Sequence, residues 1–161
     1  MGHRIRLRTP WHCQPLCRTL MGDDGQSNER NANDLPAASE RAEVPGDWSR
    51  TLGENFRGRV KYTRRFQLPT GLKPNTTIGL VFEEIDGRAE VILNGQPIAD
   101  ASFGAGATRI DVTSLLLPRN ELICIVDLPE GNITRPVGRE SMACGGLTGE
   151  VYLEIAEDSE S

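Results

Sequence analysis

The sequence is poor in the residues on which many catalytic centres are built. Its two histidines, His3 and His12, both lie in the N-terminal segment, so a triad organised on histidine is not expected. No Gly-x-Ser-x-Gly elbow, His-Glu-x-x-His pair or phosphate-binding loop occurs. No apolar run approaches the roughly 20 residues of a membrane-spanning helix, and no secretory apolar core stands near the start. There is no basic excess either. The net charge of −5 gives no electrostatic footprint for nucleic acid. Cys13 and Cys17 are spaced Cys-x₃-Cys, but the other two of the 4 cysteines form no matching pair for a metal site. Free thiols, a cytoplasmic location, no metal and no cofactor are therefore expected, with neither nucleic acid nor membrane as partner. Aromatic residues are scarce, at 2 Trp, 2 Tyr and 4 Phe, so a core needs most of them. At 161 residues the chain is too short for a (β/α)₈ barrel, which takes about 250.

What is present is strand and turn. Thr77 to Asp100 holds apolar runs at Ile78 to Ile85 and Ala89 to Leu93, punctuated by Asp86-Gly87 and Asn94-Gly95. Both dipeptides tolerate positive φ, so the stretch predicts three antiparallel strands joined by two tight turns. Further strands are expected at 4–8, 59–68, at the start of 108–117, at 121–128 and at 150–155, where apolar residues alternate or cluster. Asp111 and Thr113 are placed to cap a short turn. Residues 21–46 are rich in small and polar types and predict a long, partly disordered loop with a short helix near Pro36 to Arg41. A second long loop is expected over 129–149. About eight short strands and no long amphipathic helix predict an all-β sandwich or barrel. A single domain over 1–157 is expected, followed by an acidic tail at 158–161.

Two readings are open for several side chains. Trp48 is either a core plug or a binding platform. Residues 59–68 put Tyr62, Arg64 and Phe66 on one face and Lys61, Thr63 and Arg65 on the other. An arginine sharing a face with two aromatics needs a stacking partner, a buried carboxylate or a ligand. Glu83, Glu84 and Asp86 are carboxylates on a strand and its turn, where exposure to solvent is the ordinary explanation.

An ordered set of motifs carries a resemblance. Val44-Pro45-Gly46-Asp47-Trp48 comes first, then Tyr62-Thr63-Arg64-Arg65-Phe66, then Ala89-Glu90-Val91-Ile92-Leu93-Asn94-Gly95. Asp111-Val112-Thr113-Ser114-Leu115-Leu116, Asn120-Glu121-Leu122, Gly145-Gly146-Leu147 and Glu150-Val151-Tyr152-Leu153 follow. In this order they resemble the N-terminal sugar-binding domain of glycoside hydrolase family 2, as in β-galactosidases, β-glucuronidases and β-mannosidases. Leu7-Arg8-Thr9-Pro10-Trp11 is similar to that domain's first strand. The resemblance implies a jelly-roll β-sandwich of the galactose-binding-like type. It also implies that the family's two catalytic glutamates lie in a barrel domain that this sequence does not contain. Lys61 stands where the family has a tryptophan, and Thr148 and Gly149 replace its arginine and acid.

The expected function is a non-catalytic carbohydrate-binding-like module, accessory to a separate hydrolase. A structural or protein-interaction sandwich and a remnant of a larger hydrolase are the alternatives. The expected partners are a glycan and a separate glycoside hydrolase subunit. Candidate ligand contacts are Trp48 and Tyr62 as platforms, with Arg64, Arg139 and Glu140 as polar groups. The resemblance puts the loop that carries Glu140 close to the barrel's sugar pocket.

Overall fold

The structure is a computed structural model that describes residues 2–8, 10–21, 27–31, 35–53, 56–102, 107–128 and 145–157. Two antiparallel sheets face each other across one core. The smaller sheet has the order β1 (Gly2–Arg6), β11 (Val151–Glu157), β6 (Thr76–Phe82), β9 (Thr108–Asp111). The larger has the order β3 (Ser27–Asn31), β2 (Trp11–Met21), β5 (Gly58–Gln67), β10 (Arg119–Leu128), β7 (Arg88–Leu93), β8 (Gln96–Ser102). β4 (Ser39–Ala42) also pairs with β2. The expected all-β sandwich is what the chain forms.

Alternation along each strand produces the core. Register aligns Cys13, Tyr62, Cys124 and Val91 in one inward row across β2, β5, β10 and β7, and all four are buried. Opposite them, Leu153 pairs with Leu80 on β11 and β6. Each such fully buried aliphatic side chain contributes about 1.5–3 kcal/mol through apolar burial. Burial raises the Cys13 thiol to about 12, and it also raises Cys124 and Tyr62, the Tyr62 hydroxyl being hydrogen-bonded to the Cys13 thiol.

A folded pKa raised above the unfolded value gives stability that is complete below the ordinary thiol pKa and is lost as pH rises toward the folded value. Stability should therefore fall as pH rises from 9.0 toward about 12 for Cys13. Urea midpoints measured across that range should drop, and Cys13→Ala should flatten the slope. At pH 8 a thiol reagent should leave Cys13 and Cys124 unmodified until denaturant is added.

The Asn94-Gly95 hairpin joins β7 and β8 as the sequence predicts, with φ of 51° and 83°. The turn is tied to the start of β10. Glu121 N–H donates to Asn94 Oδ1 at 2.9 Å, and Asn94 Nδ2 donates to Asn120 Oδ1 at 2.9 Å. Buried Asn120 also accepts from Leu117 N–H at 2.8 Å and donates to Leu117 O at 2.7 Å. Asn120→Ala should lower stability by about 1–3 kcal/mol, read from chemical denaturation, because it orphans these partners. Asp111 caps the turn after β9 as expected, accepting from Thr113 N–H at 3.0 Å and from its hydroxyl at 2.6 Å.

Three expectations are corrected. Asp86-Gly87 is not a hairpin turn between paired strands, because β6 and β7 lie in different sheets and the chain crosses between them there. Residues 21–46 are not one long loop. β2 runs to Met21, and β3 and β4 pair along its outer edge, which satisfies backbone groups that would otherwise stay open. The short helix expected near Pro36 to Arg41 is absent, since β4 occupies Ser39–Ala42. β2 itself was missed, although Trp11, Cys13 and Pro15 alternate as buried residues. Pro15 conceals the pattern, and the register of β2 against β5 shifts between Pro15 and Cys17. Phe103, Cys144 and the tail at 158–161 lie outside the described residues.

Candidate functional site

An open groove of about 610 Å³ lies on the outer face of the seven-stranded sheet. That is within the range of small-molecule sites, about 300–1,000 Å³. Cross-strand register builds its floor. His12 on β2, Thr63 on β5 and Ile123 on β10 stand in one row. Gln14 and Lys61 stand in the next outward-facing row along β2 and β5, and Arg65 with Glu121 closes the other side. Glu40 from β4, together with Pro10 and Arg64, forms the rim.

The charges in the groove are unevenly satisfied. Arg65 donates to Glu121 Oε2 through Nε at 3.2 Å and Nη2 at 3.1 Å, an exposed pair. Such a pair contributes about 0–1 kcal/mol. Lys61 and Glu40 make no ion pair among the described residues. Arg64 is half-buried, and burial lowers its pKa. Its Nε–H donates to Arg8 O at 3.0 Å and Nη1 donates to Arg65 O. No carboxylate faces it among the described residues.

The outer face of the smaller sheet is tiled instead. Arg4 stacks over the Tyr152 ring at 4.6 Å, Arg8 pairs with Glu150 at 2.8 Å, and Arg109 pairs with Glu154 at 3.3 Å.

Of the three predicted contacts that fall among the described residues, Arg64 lines the groove and Trp48 and Tyr62 do not. Trp48 and Tyr62 are not platforms, since each is 1 % exposed and a stacking platform needs an open ring face. Trp48 donates Nε1–H to Phe56 O at 3.1 Å and packs edge-on against Phe56 at 5.7 Å. Tyr62 packs edge-on against Trp11 at 6.4 Å. Arg139 and Glu140 lie outside the described residues.

The motifs Val44 to Trp48 and Gly145 to Leu147 form a structural junction. Gly46 N–H donates to Leu147 O at 2.9 Å, and Trp48 N–H donates to Gly145 O at 3.0 Å. On the other side, buried Asp86 accepts Gly145 N–H on its carboxylate at 2.8 Å and pairs by backbone with Gly146 at 2.9 and 3.0 Å. The three segments thus clamp one another above Tyr62.

Sequence reasoning missed His12, Gln14, Glu40, Lys61, Thr63, Arg65, Glu121 and Ile123. The usable signal was the parity of β5. Lys61, Thr63 and Arg65 share the face opposite the aromatic one, and that face is the open one.

A family model described as the glycosyl hydrolase 2 galactose-binding domain-like domain matches residues 48–134. Comparison with curated proteins finds no match. Among solved structures, the β-glucuronidase of Bifidobacterium dentium complexed with coumarin-3-O-glucuronide is similar at a TM-score of 0.70 and 20% identity, over 97% of this chain and 30% of that one. An FMN-binding β-glucuronidase from Faecalibacterium prausnitzii L2-6 is similar at 0.68 and 20%, over 98% and 23%. A family 2 β-galacturonidase from Eisenbergiella tayi bound to galacturonate is similar at 0.62 and 21%, over 95% and 24%. At these identities the likeness is one of fold, and the chain spans less than a third of each relative.

Proposed function

The chain belongs to the glycosyl hydrolase 2 galactose-binding domain-like family, and from that premise we propose that it is a non-catalytic carbohydrate-recognition module acting beside a separate glycoside hydrolase. The observation that carries this reading is the outer groove, where alternate residues of three adjacent strands present hydroxyl, amide, imidazole and charged groups to solvent. Such groups donate to and accept from sugar hydroxyls, and Ile123 gives the floor an apolar patch for a pyranose face.

The carboxylates support the non-catalytic part. Glycoside hydrolysis uses two carboxylates flanking the scissile bond. In the groove Glu121 is held by Arg65, which leaves Glu40 as its one carboxylate without an ion pair among the described residues, while Glu84 accepts from the Thr148 hydroxyl at 3.1 Å and Asp86 is buried in the junction.

Calorimetric titration with galactose, glucose, mannose, uronic acids and β-linked oligosaccharides should give millimolar binding, weakened by Thr63→Ala. Heats indistinguishable from dilution across the panel would end this reading. Turnover of nitrophenyl glycosides by the pure protein would overturn its non-catalytic part.

One observation favours a second reading, a protein-interaction face. No aromatic lines the groove among the described residues, and half-buried Ile92, Ile123 and Ile125 run along the same outer surface. Co-migration with a separately expressed family 2 barrel, abolished by Ile125→Asp, would support this reading, and independent migration would count against it.

A further inference from the structure

We propose that Asn94 is a modification site, a point of deamidation that the fold holds in check, and that its conversion unpins the start of β10 beside the groove. Asn94-Gly95 is the only Asn-Gly pair in the sequence. In such a pair the glycine nitrogen can attack the side-chain carbonyl carbon of the asparagine, because glycine has no side chain to hinder the approach. Water is the only co-reactant. Gly95 N gives its proton to solvent and bonds to Asn94 Cγ. The Cγ–Nδ2 bond breaks, and Nδ2 takes up a proton and leaves as ammonia. Water then opens the succinimide ring to aspartate or isoaspartate. The turn is open to this chemistry on its outer side, where Gly95 is exposed and no atom lies within 4 Å of the place a Cβ would take.

The inner side is locked. Asn94 Oδ1 accepts Glu121 N–H at 2.9 Å, while Nδ2 donates to Asn120 Oδ1 at 2.9 Å and to Leu115 O at 3.5 Å. Held at both ends of its amide, the side chain cannot turn Cγ toward Gly95 N without breaking these bonds. Asn120 cannot follow it, since its own amide is fixed by the N–H and the carbonyl of Leu117. That fixed orientation also sets the consequence of conversion. A carboxylate has no proton to donate, so the aspartate product would set an acceptor against Asn120 Oδ1. Isoaspartate adds a methylene to the backbone of the turn, which displaces Asn94 N–H from Glu121 O, a bond of 2.9 Å. Glu121 lines the groove and holds Arg65, so the groove wall loses its anchor to the hairpin.

Peptide mass mapping of the full chain during incubation at mildly alkaline pH, folded and in urea, tests this. Asn94 should convert in urea, and about tenfold or more slowly when folded, the factor expected when the bonds at Oδ1 and Nδ2 must open first. Asn120→Ala, which removes the acceptor of Nδ2, should speed conversion severalfold in the folded protein. Trp48→Phe, which weakens the core away from the turn, should not. Asn94→Asp makes the aspartate product directly and should lower the urea midpoint. Equal rates folded and in urea, or no conversion in urea, would overturn the proposal. Equal acceleration by Trp48→Phe would mean that conversion runs through global unfolding, and would overturn the lock. A urea midpoint unchanged by Asn94→Asp would overturn the unpinning.

Discussion

Gly146→Ala should destabilise the sandwich by about 2–4 kcal/mol, the sum expected of a forbidden backbone angle and a steric clash. Gly146 has a φ of +117°, which L side chains rarely adopt, and a Cβ there would lie 2.7 Å from the Tyr62 hydroxyl oxygen. That oxygen cannot yield easily, because Tyr62 is 1 % exposed and its ring is held edge-on by Trp11. The clash also pushes on the clamp in which Gly145 to Leu147 bonds to Gly46, Trp48 and Asp86. A double-mutant cycle separates the two causes. Tyr62→Phe removes the oxygen, so the Gly146→Ala, Tyr62→Phe pair should be less destabilised than the sum of its singles, by about 0.5–3 kcal/mol. Additivity would mean that backbone strain alone accounts for the loss.

Trp48→Ala should cost about 3–5 kcal/mol, the loss expected when a large buried aromatic is truncated. Trp48 fills core volume beside Phe56 and spends its only side-chain donor on the Phe56 carbonyl. A surface platform would behave otherwise, with truncation changing stability by no more than about 0.5 kcal/mol. Urea denaturation of both proteins decides between these. Trp48→Phe keeps most of the ring volume and should lose clearly less than Trp48→Ala. The buried position also has a practical consequence: tryptophan fluorescence reports on unfolding here, and poorly on a ligand in the outer groove.

The fold was legible where one face of a strand is apolar. β5, β7 and β11 read correctly because their inward apolar residues alternate with more polar outward ones, β10 because it is the most apolar run and lies at the centre of its sheet, and Asn94-Gly95 marks its hairpin through the positive φ it tolerates. β4 was not legible. It is a short edge strand in which three of four side chains stay at least partly in solvent, so its composition is that of a loop. Asp86-Gly87 was misread because turn chemistry says that the chain bends and not which sheet it bends into.

The site was harder to see. Aromatic residues drew attention to the Tyr62 face, yet in a chain with 8 aromatics the core claims the large ones. The groove is made by neighbours in register, such as His12, Thr63 and Ile123, which are far apart in sequence. No local motif encodes that juxtaposition. Arg64 was found because it broke the apolar pattern of its face, and its partners proved to be backbone carbonyls.

The central claim is that the outer face of the larger sheet holds the binding site, while the Trp48 and Tyr62 face is structural. Amide chemical-shift mapping by two-dimensional NMR, during titration with glucuronate and galactose, tests it most directly. The account predicts perturbations at Lys61, Thr63, Arg65, Glu121 and Ile123, with the amides of the smaller sheet unchanged. Perturbations centred on Trp48 and Gly146, or none at millimolar sugar, would contradict it.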